Sequence, residues 1–159
     1  MKKIIALSFL LFSSTLVSSY ATCDSTTEQE ALKQFVNEYY IDALANNADF
    51  AKIDQGFHTD FMLFGVRNDE LWTWTLEQWK DNLKTKKENG EFPRRGKNKF
   101  SADIVSVDIN GLLAVVKLKL YRGGKYVFID YLTLYKLDGN WKLISKTYHK
   151  VAQDTNKKS

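Results

Sequence analysis

The sequence predicts an α+β domain in which helices come first and an antiparallel meander of four strands comes last. Three observations carry that expectation. Apolar residues recur at helical spacing between Glu28 and Asn47. Three two-residue turn signals, Asn110-Gly111, Gly123-Gly124 and Asp138-Gly139, separate four extended runs. Within the second of those runs apolar and charged residues alternate, as a half-buried strand requires.

Along the helical stretch Ala31, Leu32, Phe35, Val36, Tyr39, Ala43 and Leu44 form one face, and Glu30, Lys33, Gln34, Asn37 and Asp42 fill the other. Asn46-Asn47 closes this helix. Asp49 is placed to cap a short second helix carrying Phe50 and Ile53, which Gly56 terminates. Phe57 to Val66 reads as a strand, Asn68-Asp69 as a turn, and Leu71 to Trp74 as a second short extended piece. Thr75-Leu-Glu-Gln78 has capping-box form and opens a third helix to about Glu88, with Leu76, Trp79 and Leu83 on one face. Gly90 to Asn98, holding the chain's only proline at Pro93, is a loop.

Runs 100–109, 112–121, 125–136 and 141–150 complete the chain, and turns this tight join antiparallel neighbours. On the second run Leu112, Ala114, Val116, Leu118 and Leu120 share a face opposite Lys117 and Lys119. The third run is apolar on both sides, with Phe128, Leu132 and Leu134 on one and Val127, Ile129, Tyr131 and Tyr135 on the other. Helices cover one face of such a sheet. A second copy of the chain is the economical cover for the other, so a homodimer is expected.

At the N-terminus, Lys2 and Lys3 precede an apolar stretch from Ile4 to Val17, and Ser19-Tyr20-Ala21 puts small residues at both cleavage-determining positions. Residues 1–21 therefore read as a secretory signal peptide with Thr22 as the mature start, and the working protein is expected to be exported, periplasmic or secreted. As a membrane anchor the stretch is shorter than the ~20 residues a bilayer needs and is broken by hydroxyls. Removing residues 1–21 from 159 leaves 138, one ordinary domain, and lowers the net charge from +4 to +2. The expected organisation is a short segment at 22–27, the domain at 28–150 and a polar basic tail at 151–159.

Cys23 is the only cysteine, so no intrachain disulfide forms. Its place after the signal raises a lipid-anchored N-terminus, the one route by which a membrane would become a partner. Tyr20 and Thr22, however, stand where a lipoprotein processing site takes a branched aliphatic and a very small residue.

The order of elements and several phrases carry a resemblance: Tyr40-Ile-Asp-Ala-Leu44, Asp49, Gly56-Phe-His58, Asn110-Gly111 with Ala114-Val115-Val116, and Asp130-Tyr-Leu-Thr-Leu134 through Gly139-Asn-Trp-Lys-Leu143. Over about residues 28–150 the chain resembles the nuclear transport factor 2-like superfamily, and within it the putative lumazine-binding family. The resemblance implies a strongly curved antiparallel sheet wrapped around the helices as a cone-shaped α+β barrel, with a pocket inside, usually in a homodimer. That superfamily includes isomerases, dehydratases, polyketide cyclases, ligand carriers and protein-binding members, so function must be argued from the site.

Few residues qualify to carry chemistry. Asp130, flanked on its strand face by Phe128 and Leu132, is the one carboxylate committed to a hydrophobic stripe. It is either a general base or a carboxylate satisfied structurally by a neighbouring Tyr, Trp or Lys. His58 and His149 are the only histidines, with no metal-ligand spacing; His58, at a strand start, is the candidate proton partner of Asp130, with Tyr131 as the other, and His149 reads as an exposed strand end. Among the aromatics Tyr39 and Trp79 are candidate pocket walls, with Phe128 and Tyr131 on the sheet, and Trp141 reads as core. Lys84, Lys86, Lys87, Arg94, Arg95, Lys97 and Lys99 against Glu88 and Glu91 give a local balance of +5, read as a solvated helix end and loop rather than a nucleic-acid surface.

No phosphate-cradling loop, dinucleotide fingerprint, serine elbow or Cys-His pair is present, and no cofactor or metal is implied. Three functions stay open. The first is a small-molecule-binding protein whose aromatic-lined pocket takes a partly aromatic ligand. The others are a cofactor-independent lyase or isomerase using Asp130, and a protein-interaction module that uses the basic loop or the sheet face.

Overall fold

Residues 25–152 are described by the structure, a computed structural model. The expected signal at 1–21, Cys23 and the tail beyond 152 lie outside the described residues. Helix α1 (Ser25–Phe35) starts three residues before the domain boundary expected at 28 and runs directly into a π-helical continuation, Val36–Asn47. A π-helix bonds i to i+5, so residues five apart stack on one side. Val36, Ile41 and Asn46 are accordingly all buried, as are Tyr40 and Ala45. The wider winding changes which tyrosine is inside: Tyr40 is buried and Tyr39, read from the sequence as core-facing, is only half-buried.

Ala48, left-handed at φ 47°, ends the continuation, and α2 (Phe50–Gly56) follows, its Lys52 N–H donating to Asp49 Oδ1 at 3.2 Å. Gly56 is required by a close approach: a Cβ there would lie 2.5 Å from Tyr39 Cβ. Strands β1 (Phe57–Arg67) and β2 (Glu70–Thr75) form a hairpin whose turn residues Asn68 and Asp69 have φ of 52° and 64°, the geometry of a turn matched to strand twist. Helix α3 (Leu76–Glu88) opens on a complete capping box, with Gln78 N–H donating to Thr75 Oγ1 and Thr75 N–H to Gln78 Oε1.

The meander follows as β3 (Phe100–Asn110), β4 (Leu113–Arg122), β5 (Lys125–Leu137) and β6 (Asn140–Lys150). The sheet order is β2-β1-β6-β5-β4-β3. Four pairings are antiparallel and one, β1 with β6, is parallel, because the chain leaves β1 and returns only after the whole meander. Register shifts interrupt the ladder on β3 between Ile104 and Ser106, on β5 between Tyr126 and Phe128, and on β6 between Leu143 and Ser145. Bulges of this kind bend a sheet and increase its twist, which is how six strands wrap the helices. The buried inner face carries Ala114, Val116, Leu118 and Leu120 beside Leu132 and Leu134, packed on Leu32, Val36 and Leu44 of the first helix. Leu112, expected on that face, falls in the turn instead and is 63% exposed.

Asn46 fastens the helix to the sheet edge. Its amide Nδ2 donates to the Phe100 carbonyl at 3.0 Å, its Oδ1 accepts from the Phe100 N–H at 2.8 Å, and its own carbonyl accepts from the Arg94 N–H. Truncating it leaves two buried main-chain groups unpaired. Asn46→Ala is therefore expected to lower unfolding free energy by about 2–4 kcal/mol in urea titrations, well beyond the effect of Asn47→Ala one residue on.

Candidate functional site

Between the π-helical segment, α3 and the concave sheet face lies a cavity of about 400 Å³, within the range of small-molecule sites. Its aromatic wall is built by the β1–β2 hairpin and by β5, β6 and α3. Trp72 and Trp74 meet edge to face at 5.4 Å, Trp72 meets Tyr148 at 6.2 Å, and Phe128 meets Tyr148 at 5.5 Å. Trp79 of α3 stacks on Phe61 at 5.8 Å and faces the same space. Gly65, paired across the hairpin with Trp72, admits the indole, since a Cβ there would lie 2.6 Å from the ring. The rings thus brace one another, and little rotamer freedom remains to be lost on binding.

Beneath this wall sits a buried charged triad. Asp130 on β5 is 0% exposed and Lys146 on β6 is 6% exposed. The Tyr40 hydroxyl donates to Asp130 Oδ2 at 2.6 Å, Lys146 Nζ pairs with the same oxygen at 2.9 Å, and Lys146 Nζ also donates to the Tyr40 hydroxyl. Asp130 Oδ1 meets no donor among the described residues. Three rings surround the ammonium, Tyr40 at 4.9 Å, Tyr148 at 5.1 Å and Trp79 at 5.7 Å. Burial, and then the Asp130 charge and hydrogen bond, hold the Tyr40 phenol well above its usual value. Burial also raises the Tyr148 phenol, with Arg67 opposing it.

The charged part of the wall is cationic: Arg67, Lys86, Arg94 and Arg122 line the cavity alongside Lys146 and the neutral Asn82, and among the described residues no carboxylate does. Arg94 Nη1 donates to the Ala45 carbonyl at 2.9 Å, and its guanidinium lies 4.4 Å from the Phe92 ring and 5.1 Å from the Phe100 ring. Arg122 stands over Phe100 from the other strand end, 5.8 Å from its centroid, and donates to Asn98 Oδ1.

The structure brings together only part of the sequence-based site. Trp79 and Phe128 line the cavity. Asp130 lies behind its wall and reaches it through Tyr40 and Lys146, two residues the sequence reading left out of the candidate site. Tyr131 is on the opposite, convex face, 42% exposed, with Lys117 over its ring. Tyr39 and His58 border a different groove of about 570 Å³, beside Trp141 and the β5–β6 turn. There His58 Nδ1 accepts from the Asp60 N–H, a local turn contact, so His58 does not serve the Asp130 cluster. That groove is larger, yet it gathers no paired ionisable cluster, and the inner cavity is the better-built site. Of the seven basic residues assigned to solvent, Lys86 and Arg94 turn into the cavity. Among the described residues no group of three or more His, Cys, Asp or Glu is placed to hold a metal.

A family model described as putative lumazine-binding matches residues 27–149. No curated protein matches. Among solved structures, an NTF2-like protein of unknown function from Shewanella baltica shares 21% identity and a TM-score of 0.62, covering 81% of this chain and 98% of its own. One from Silicibacter pomeroyi shares 22% identity and a TM-score of 0.63, covering 80% and 99%. One from Methylobacillus flagellatus shares 25% identity and a TM-score of 0.60, covering 80% and 95%. These likenesses establish the cone-shaped fold.

Two consequences of the triad can be measured. Lys146→Met strands a buried carboxylate and is expected to cost about 3–5 kcal/mol of stability, most of which Asp130→Asn in the same chain restores by removing the charge. The second concerns pH. Tyr40 keeps its proton in the folded state at values where an unfolded tyrosine, near 10.0, gives it up. Its contribution is therefore complete below about pH 10 and falls as pH rises from there through the folded value. Unfolding free energy measured between about pH 9 and 11.5 should decline less steeply in Tyr40→Phe than in the parent chain.

Proposed function

The chain belongs to the putative lumazine-binding family, and from that premise we propose that it is an exported small-molecule-binding protein holding a flat, partly aromatic ligand in the inner cavity. The observation that carries the reading is the aromatic wall around a space of about 400 Å³, in which Trp72, Trp74, Tyr148 and Phe128 brace one another and Trp79 is braced by Phe61. Flat heterocycles stack on such walls, and Lys146, with two of its three N–H groups committed to Tyr40 and Asp130, has one left for a ligand acceptor. Export rests on the secretory pattern of residues 1–21.

A cofactor-independent lyase or isomerase is the second reading, favoured by the hydrogen-bond reach of Asp130 to two titratable side chains at the cavity wall. In it the proton partners of Asp130 are Tyr40 and Lys146 in place of His58 and Tyr131.

The convex face supports a homodimer. Tyr131 and Tyr135, each 42% exposed, and Val115 share it across β4 and β5, and a second copy of this surface would cover them.

Native mass spectrometry of protein recovered from its own periplasm or medium should show a mature chain starting at Thr22 with a bound small molecule. A thermal-shift screen of heterocycles should return hits that Trp79→Ala weakens about tenfold by lost stacking. No bound species and no shift would overturn the binding reading. Light scattering at micromolar concentration should give twice the chain mass, reduced to one by Tyr131→Glu; a monomeric parent chain would overturn the dimer.

A further inference from the structure

The inner cavity has a one-sided charge distribution that ligand binding alone does not require. Among the described residues five that line it are cationic and none is acidic. Lys146 is compensated from behind by Asp130. None of the ion pairs within 4.0 Å among the described residues involves Arg67, Lys86, Arg94 or Arg122.

Arg94 and Arg122 are the sharpest case. They arrive from separate elements, the loop after α3 and the end of β4, and both guanidiniums pack over the Phe100 ring. Burial, and then the neighbouring charge of Arg122, lower Arg94 from its ordinary value, with Glu91 opposing from the loop. The same two arginines also border a smaller hollow of about 260 Å³ that includes Arg95 and Glu91. Arg94 is half-buried and Arg122 exposed; like charges placed side by side repel, and an anion between them removes that cost and gains charge-assisted hydrogen bonds from planar donor forks.

We propose that the cavity selects ligands bearing an anionic group, a carboxylate or a phosphate, which sits between Arg94 and Arg122 against Phe100 while the flat apolar body lies along the tryptophan wall. This rests on the reading that the cavity holds a small molecule, and it adds the chemical class of that molecule. A concave wall of one sign also concentrates anions at its mouth and speeds their capture. Because Arg94 is half-buried and held from behind by the Ala45 carbonyl, its fork is oriented before a ligand arrives.

The test is calorimetric titration of the whole mature chain with three probes of one shape: 2-naphthoate, 2-naphthyl phosphate and the neutral 2-naphthamide. The expected result is that at least one of the two anions binds about tenfold or more tightly than the amide, that raising salt from about 50 to 500 mM erodes this preference, and that in Arg122→Gln the anions bind no more tightly than the amide does to the same variant. Which anion is preferred separates a carboxylate from a phosphate ligand. Arg94→Gln should act in the same direction, and because Arg94 also packs on Phe92, the more exposed Arg122 decides if that variant fails to fold. Equal binding of all three probes, or an anion preference untouched by Arg122→Gln, overturns the anion site and leaves the binding reading standing. Binding of none of the three overturns both.

Discussion

Burying a carboxylate with no exposure to water is among the most expensive things a small domain does, and Asp130 is fully buried. Its ionised oxygen needs donors that arrive from other elements, and the fold supplies them from two places far apart in sequence: Tyr40 in the π-helical segment and Lys146 on the last strand. The triad therefore ties the helix, β5 and β6 into one unit at the level of the cavity floor. A hydrophobic trio of the same volume would hold these elements together at least as well, since buried ion pairs rarely exceed apolar packing in net stability. What an apolar trio would not provide is an ammonium held in place at a cavity wall among three rings.

Two local departures from regular structure make that floor possible. The i to i+5 winding of Val36–Asn47 turns Tyr40 toward Asp130 and, one stacking interval on, brings Ala45 and Asn46 inward, where they meet Arg94 and Phe100. The bulge on β6 does the same for Lys146. Trp141 and Leu143 face inward, and strict alternation would continue through Ser145 and Thr147; the extra residue between Leu143 and Ser145 shifts the parity, so Lys146 and Tyr148 point in. The floor residues Tyr40 and Lys146 thus owe their placement to irregular backbone.

That dependence explains what could be read from the sequence. Propensity, turn chemistry and capping are local, and they locate the six strands and the three α-helices of the described chain within a few residues, including the Thr75 capping box and the Asn68-Asp69 turn, while the short 3-10 helix Gly96–Asn98 falls in the stretch they read as a loop. The burial of Asp130 was legible because its neighbours Phe128 and Leu132 share its face. Lys146 was not legible, because period-two reasoning places it outside and nothing local announces a bulge. A period of 3.6 puts Tyr39 on the inner face, but the segment is wound more widely and the buried tyrosine is Tyr40. Tyr131 was placed in the pocket because both faces of β5 are apolar, and only the register with β4 and β6 decides which one is concave. Composition did flag the basic stretch from Lys84 to Lys99, but charge counting cannot separate residues that meet solvent from Lys86 and Arg94, which turn inward.

The cavity divides its positive charge between two environments, and the difference bears on how it works. At the floor, Lys146 is paired, ringed by aromatics and buried, so its field is largely spent on Asp130 and what remains to it is a directed hydrogen bond. At the wall, Arg94 and Arg122 share an aromatic platform with no ion-pair partner among the described residues, so their field extends into the cavity. On the proposed reading, a molecule entering there would meet attraction from the wall first, flat apolar contact second, and the fixed ammonium last. Affinity for the apolar body and discrimination by charge would then be carried by different residues, on different elements, and either could change without rebuilding the other.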